Sequence, residues 1–141
     1  MKTQNTCTTT FVCRDNQGTL IHFNSKKAMS SSPFQAEMLA LKEASKFTSR
    51  FPNKQFIIKS DCLAAIQLCN SAAKERPWEA DVIWEEIQRI TSNTGNVRFR
   101  HVYSSANMVT DWLAKHQLAA LLCNYGFNVI LFSLTLFLRS R

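Results

Sequence analysis

Three carboxylates, Glu37, Asp61 and Asp111, are the residues of this chain whose placement could support chemistry. Asp61 directly follows the apolar run Phe56-Ile57-Ile58, which reads as a short strand buried on both faces. A carboxylate at the carboxyl end of such a strand stands where open α/β sheets place their ligands. Asp61 is equally suited to N-capping the helical pattern that starts at Cys62. Glu37 falls inside the apolar arc of a predicted helix, between Phe34 and Leu41. There it is either a cation ligand or a side chain snorkelling at the rim of the arc. Asp111 lies on the last predicted helix, one turn past Asn107, whose amide could hold it, and taken alone it is a surface aspartate. Hard cations such as Mg²⁺ take oxygen ligands, and two of them can clamp a phosphodiester from both sides. Carboxylates drawn from separate elements are what such a site requires.

The elements that must position these groups follow from local patterns. Thr8 to Arg14, the turn residues Asp15 to Gly18, and Thr19 to Phe23 predict a hairpin, followed by a polar linker over Lys26 to Ser31. Ser32-Pro33-Phe34-Gln35 opens a helix with an N-cap, a proline at the first helical position and a capping-box glutamine, and the helix runs to about Phe47. Its buried arc is Phe34, Met38, Leu41 and Ala44, with Lys42, Glu43 and Lys46 opposite. A helix over Cys62 to Ala72 follows the Phe56 strand, then a polar link to Arg76, then a helix from Pro77 that ends at Gly95. Acidic residues in its first half (Glu79, Asp81, Glu85, Glu86) suit the helix dipole and are assigned no catalysis. Asn96 to Tyr103 alternates, with Val97, Phe99, His101 and Tyr103 on one face and Arg98 and Arg100 on the other. The two arginines are either a solvated face or a phosphate-binding stripe, and His101 reads as a packed residue rather than a general base. A last helix over about Ala106 to Leu122 carries Asn107 and Asp111.

Composition narrows the class. The chain has 141 residues, 45% hydrophobic and 19% charged, enough for one domain with a real core and too apolar for wholesale disorder. A formal charge of +7 favours a polyanionic partner, nucleic acid before membrane. The 5 cysteines are scattered, with no Cys-x-x-Cys pair at zinc spacing to a histidine, which argues for an intracellular, reducing compartment (nucleus or cytoplasm) and against a structural metal. The amino terminus has no apolar core of a secretory signal.

In this order the segments Val12 to Gly18, Ser31 to Leu41, Ile58 to Asp61, Arg100 to Val102, Ala106-Asn107 and Asp111 to Lys115 resemble the ribonuclease H-like, reverse-transcriptase-like domains of plant genomes and retroelement polyproteins. The resemblance covers about residues 8 to 118. It implies an α/β fold: a mixed five-stranded sheet flanked by helices. The implied activity is metal-dependent cleavage of the RNA strand of RNA–DNA hybrids, with Mg²⁺ as cofactor and nucleic acid as partner. Glu37, Asp61 and Asp111 match three of the family's four metal-binding acidic residues, while Arg98, Arg100 and Asn107 are candidates for nucleic-acid contacts.

The chain departs from that pattern at both ends. The family's first acidic residue lies on a strand ahead of the Val12 segment, and here residues 1–7 contain neither Asp nor Glu, while Asp15 sits in the hairpin turn. That strand is central in the family sheet, so its absence predicts unpaired backbone groups on the hairpin and on the Phe56 strand. A long histidine-bearing loop after Tyr103, found in some active relatives, is also missing. Residues 119–141 form a separate apolar tail, a core helix or strand rather than a membrane span because Asn124, Gly126 and Asn128 interrupt it. The expectation is a truncated or rearranged copy, either an endonuclease or a catalytically inactive nucleic-acid-binding remnant.

Overall fold

The computed structural model describes residues 5–15, 20–71, 75–103 and 129–137, the last segment by its backbone. Its order is β1 (Asn5–Arg14), β2 (Leu20–Ser30), α1 (Pro33–Thr48), β3 (Phe56–Ser60), α2 (Leu63–Asn70), α3 (Trp78–Thr94), β4 (Val97–His101) and β5 (Val129–Phe137). The strands form one mixed sheet in the order β2-β1-β5-β3-β4.

β1 and β2 pair antiparallel from Asn5↔Ser30 to Arg14↔Leu20, with a register shift between Cys13 and Arg14. The stretch expected to be a polar linker, Lys26 to Ser31, is therefore strand up to Ser30. β2 is an edge strand, and Ser25, Lys26 and Lys27 are exposed there, where charge is tolerated and discourages edge-to-edge pairing. β3 and β4 pair in parallel, Phe56↔Val97 to Ser60↔His101.

The expected gap at the centre of the sheet is filled. β5, drawn from the apolar tail, runs antiparallel to β1 (Cys7↔Phe137 to Arg14↔Ile130) and parallel to β3 (Phe56↔Val129 to Ser60↔Ser133). The facing edges of β1 and β3 thus both find ladder partners, which corrects the expectation of unpaired backbone on the two strands. A run of nine residues with no charge, Val-Ile-Leu-Phe-Ser-Leu-Thr-Leu-Phe, is the composition of a strand with neighbours on both sides.

α1 begins as its residues dictate. Ser32 is the N-cap and its hydroxyl accepts from the Gln35 N–H at 3.1 Å, with Pro33 at the first helical position. The Gln35 side chain accepts from the Ser31 N–H (2.7 Å), one residue ahead of the usual capping-box target. Ala36, Met38, Ala40, Leu41 and Ala44 are wholly buried, a wider arc than an amphipathic surface helix has. The reason is that α1 packs on the sheet and on α3 at once. Glu79 ties the two helices together. It accepts from the Ser32 hydroxyl (2.9 Å) and the Ser31 hydroxyl (3.2 Å), and its backbone carbonyl accepts from Gln35 Nε2 (2.8 Å). α3 stops at Gly95, whose φ of 63° is the left-handed conformation glycine adopts most cheaply. Next to it Asn96, 2% exposed, donates to the carbonyls of Phe51 (3.0 Å) and Lys54 (2.7 Å), pinning the turn before β3 to the start of β4.

The core joins Phe11, Met38, Leu41, Phe47, Phe56, Ile58, Ile66 and Ile87. At one end of it His22 stacks on Phe47, ring centroids 4.6 Å apart and 13° from parallel. Among the described residues no helix is long and apolar enough to cross a membrane.

Candidate functional site

Asp61 leaves the sheet one residue after β3. Two hydrogen bonds hold this end: the Val102 N–H donates to the Ser60 carbonyl (3.0 Å), and the Cys62 N–H donates to the Ser60 hydroxyl (3.1 Å). The N-cap of α2 is Cys62, with no side-chain cap hydrogen bond. Asp61 is therefore not the cap of that helix; it precedes the cap and is half-buried at the carboxyl end of the parallel strand pair.

Glu37 reaches the same place from α1. It is half-buried, and its Oε2 is fully buried. The Cys62 thiol registers both carboxylates. Burial pushes it above its ordinary value first of all, and the charges of Glu37 and Asp61 each push it further, partly offset by the Ala65 and Ala64 backbone N–H groups. Two carboxylates on elements 24 positions apart in sequence thus act on one thiol at the end of the sheet. Like charges gathered in a partly buried place favour a cation among them. Cys62 is the neighbour that sequence reasoning missed, because nothing in its spacing distinguished it from a core thiol.

Asp111 and Asn107 lie outside the described residues, so the structure brings together two of the three predicted acidic residues. Among the described residues no group of three or more His, Cys, Asp or Glu side chains is disposed to hold a metal. Two carboxylates supply the oxygen donors that a hard cation takes, without completing its shell. The central strand adds none: the register Ser60↔Ser133 extended by one residue sets Leu134 level with Asp61, and 129–137 contains no acidic residue.

Arg98 and Arg100 are exposed on one face of the edge strand β4, while Val97, Phe99 and His101 alternate inward. His101 is half-buried with its ring edge-on to Tyr103 (5.8 Å, 75°), the packed role expected of it. Among the other thiols, burial pushes Cys13 and Cys69 each up to about 12, leaving them protonated and unreactive.

The sequence pattern of a family described as reverse transcriptase-like matches residues 1–117. No curated protein matches the chain. Among solved structures, the RNase H1 from the halophilic archaeon Halobacterium salinarum NRC-1 is similar with a TM-score of 0.66 and 15% identity, over 78% of this chain and 86% of that one. LC11-RNase H1, solved in complex with an RNA/DNA hybrid, is similar with a TM-score of 0.60 and 15% identity, over 80% of this chain and 93% of that one. With its mixed sheet, its helices and these matches, the chain has the ribonuclease H fold and belongs to the reverse transcriptase-like family.

Proposed function

We propose that this chain is a ribonuclease H-type nucleic-acid-binding domain that retains part of a divalent-cation site and cleaves RNA–DNA hybrids poorly or not at all. The observation that carries the reading is the meeting of Glu37 and Asp61 beside Cys62 at the carboxyl end of β3. Support for the substrate class comes from the similar LC11-RNase H1, solved with an RNA/DNA hybrid, and from the net charge of +7.

Glu37 and Asp61, joined by Asp111 from the last predicted helix, would hold Mg²⁺ through carboxylate oxygens. When bound, such an ion neutralises phosphate charge and lowers the pKa of a coordinated water. The chain's own contribution is placement. β3 and α1 fix the two carboxylates, the Ser60 hydrogen bonds fix the turn that carries Asp61, and Arg98 and Arg100 offer charge to phosphates along β4.

Impaired cleavage follows from the central strand. Two-metal hydrolysis needs enough negative charge to keep two divalent ions a few ångströms apart. β5 holds the position beside β3 and brings no carboxylate to it. One ion should then bind loosely, and misplacement of about 1 Å can cost about a hundredfold in rate.

The test is a labelled RNA–DNA hybrid incubated with the purified chain, with and without Mg²⁺. The expected result is binding with little cleavage. Robust cleavage that disappears in Asp61→Asn would show that three carboxylates suffice, and a chain that does not bind the hybrid at low salt would end the nucleic-acid reading.

A further inference from the structure

The carboxyl end of the β3–β4 pair carries a second feature that the cation site does not use. Tyr103 is 80% exposed, the most exposed of the large hydrophobic side chains among the described residues. It is nevertheless held in place. His101, fixed in β4 opposite Ser60, meets the Tyr103 ring edge-to-face at 5.8 Å and 75°, an arrangement that stabilises an aromatic pair beyond the area it buries. The Val102 N–H between them is bonded to the Ser60 carbonyl at 3.0 Å, so the backbone leading to Tyr103 is tied to the strand that ends at Asp61. An oriented, solvent-facing aromatic ring beside a phosphate-directed site is a stacking platform in chemical terms. Every nucleobase offers a π-face, so such a platform is indifferent to sequence but not to pairing: a base inside a duplex already has its faces covered. The surroundings favour a nucleic acid over an apolar protein segment, because Arg98 and Arg100 are exposed on the same edge strand and the chain carries +7.

We infer that Tyr103 stacks an unpaired base of a bound nucleic acid, giving the domain a preference for single strands, or for duplexes with a single-stranded overhang, over fully paired duplex. This rests on the nucleic-acid reading above and adds to it the strand state of the ligand.

The experiment uses the full chain and a single-stranded oligonucleotide bearing one 2-aminopurine, whose fluorescence is quenched when its ring stacks. The same oligonucleotide annealed to its complement is the paired control. The wild-type chain and Tyr103→Phe should quench the single strand, while Tyr103→Ala and Tyr103→Leu should not, Leu keeping apolar bulk without a π-face. Affinity of Tyr103→Ala for the single strand should fall about five- to hundredfold, with little change for the paired control. Thermal unfolding followed by circular dichroism shows that each variant is folded, as expected for a side chain this exposed. If Tyr103→Ala quenches and binds like wild type, or loses affinity equally for paired and unpaired ligands, the inference is overturned while nucleic-acid binding stands. If the wild-type chain binds neither ligand at low salt, both readings are overturned together.

Discussion

Glu37 and Asp61 act on one thiol from separate elements, and that proximity makes a direct claim about cation binding. A ligand that binds only the folded state stabilises it by mass action. The unfolding temperature of the parent chain should therefore rise as Mg²⁺ or Mn²⁺ is added, and the rise should shrink in Glu37→Gln and in Asp61→Asn; equal rises in all three, measured by calorimetry, would remove both residues from the site. His22 makes a claim about pH. Burial, and then the nearby Arg50 charge, hold its imidazole below the ordinary value, so in the window just under about pH 6.5 the unfolded chain binds a proton that the folded chain refuses. Its contribution is complete above that window and is lost as pH falls through it. Urea unfolding between about pH 7.5 and about pH 5.5 should show stability dropping toward acid, with a flatter profile in His22→Phe, which can keep the stack on Phe47 without the titrating group. Asn96 makes a claim about hydrogen bonding. Asn96→Ala removes both donors to Phe51 and Lys54 and leaves carbonyls without them, which should cost about 2 kcal/mol in a denaturant melt.

At the scale of elements, β5 decides whether the rest can fold. It bridges β1 and β3, and without it the sheet divides into the β2-β1 hairpin and the β3-β4 pair, each with an open edge facing an apolar slot. Residues 1–128 alone should lose the cooperative thermal transition of the full chain, even though this piece contains the whole family-matched segment 1–117. A native-like transition in that piece would show that β5 is dispensable. The same strand offers a gain-of-function test. Leu134 stands level with Asp61 when the β3–β5 register is extended by one residue, so Leu134→Asp should destabilise the ion-free chain, recover more stability from Mn²⁺ than the parent does, and raise hybrid cleavage. What was legible beforehand follows a physical line between local and non-local causes. The start of α1 was readable because Ser32, Pro33 and Gln35 act within one turn, the end of α3 because Gly95 alone carries the left-handed conformation, and the alternation of β4 because its burial has period two. The extension of β2 to Ser30 was not, because Lys26 and Lys27 are polar for the sake of an edge that sequence does not reveal. The part played by Val129 to Phe137 was not either, since pairing across the whole chain leaves no local mark beyond an apolar run. The site was half legible: Asp61 and Glu37 were recognised, but only the placement of the N-cap at Cys62 separates Asp61 from an ordinary helix cap.

For the whole molecule the relevant quantity is charge, since 17 basic residues stand against 10 acidic ones. Much of that excess sits where a polyanion can reach it, with Lys26 and Lys27 exposed on one sheet edge and Arg98 and Arg100 on the other. Part of it is already engaged: Lys26 and Lys46 pair with Glu43, and Arg89 with Glu86. Exposed pairs of this kind contribute little to stability and exchange readily for a phosphate partner. Binding carried by phosphate contacts releases condensed counterions, so the logarithm of the affinity falls linearly with the logarithm of salt, by about 0.9 per contact on a duplex. Base stacking at Tyr103 releases none. The two contributions therefore separate in one titration. Arg98→Ala with Arg100→Ala should lower the magnitude of the salt slope by about 2 whatever the nucleic acid. Tyr103→Ala should lower affinity for single strands at every salt concentration and leave the slope as it was. The measurement is fluorescence anisotropy of labelled hybrid and labelled single strand across a salt series. A slope unchanged by removing both arginines would place the phosphate contacts elsewhere on the surface, and affinity indifferent to salt would show that the excess charge has no part in binding.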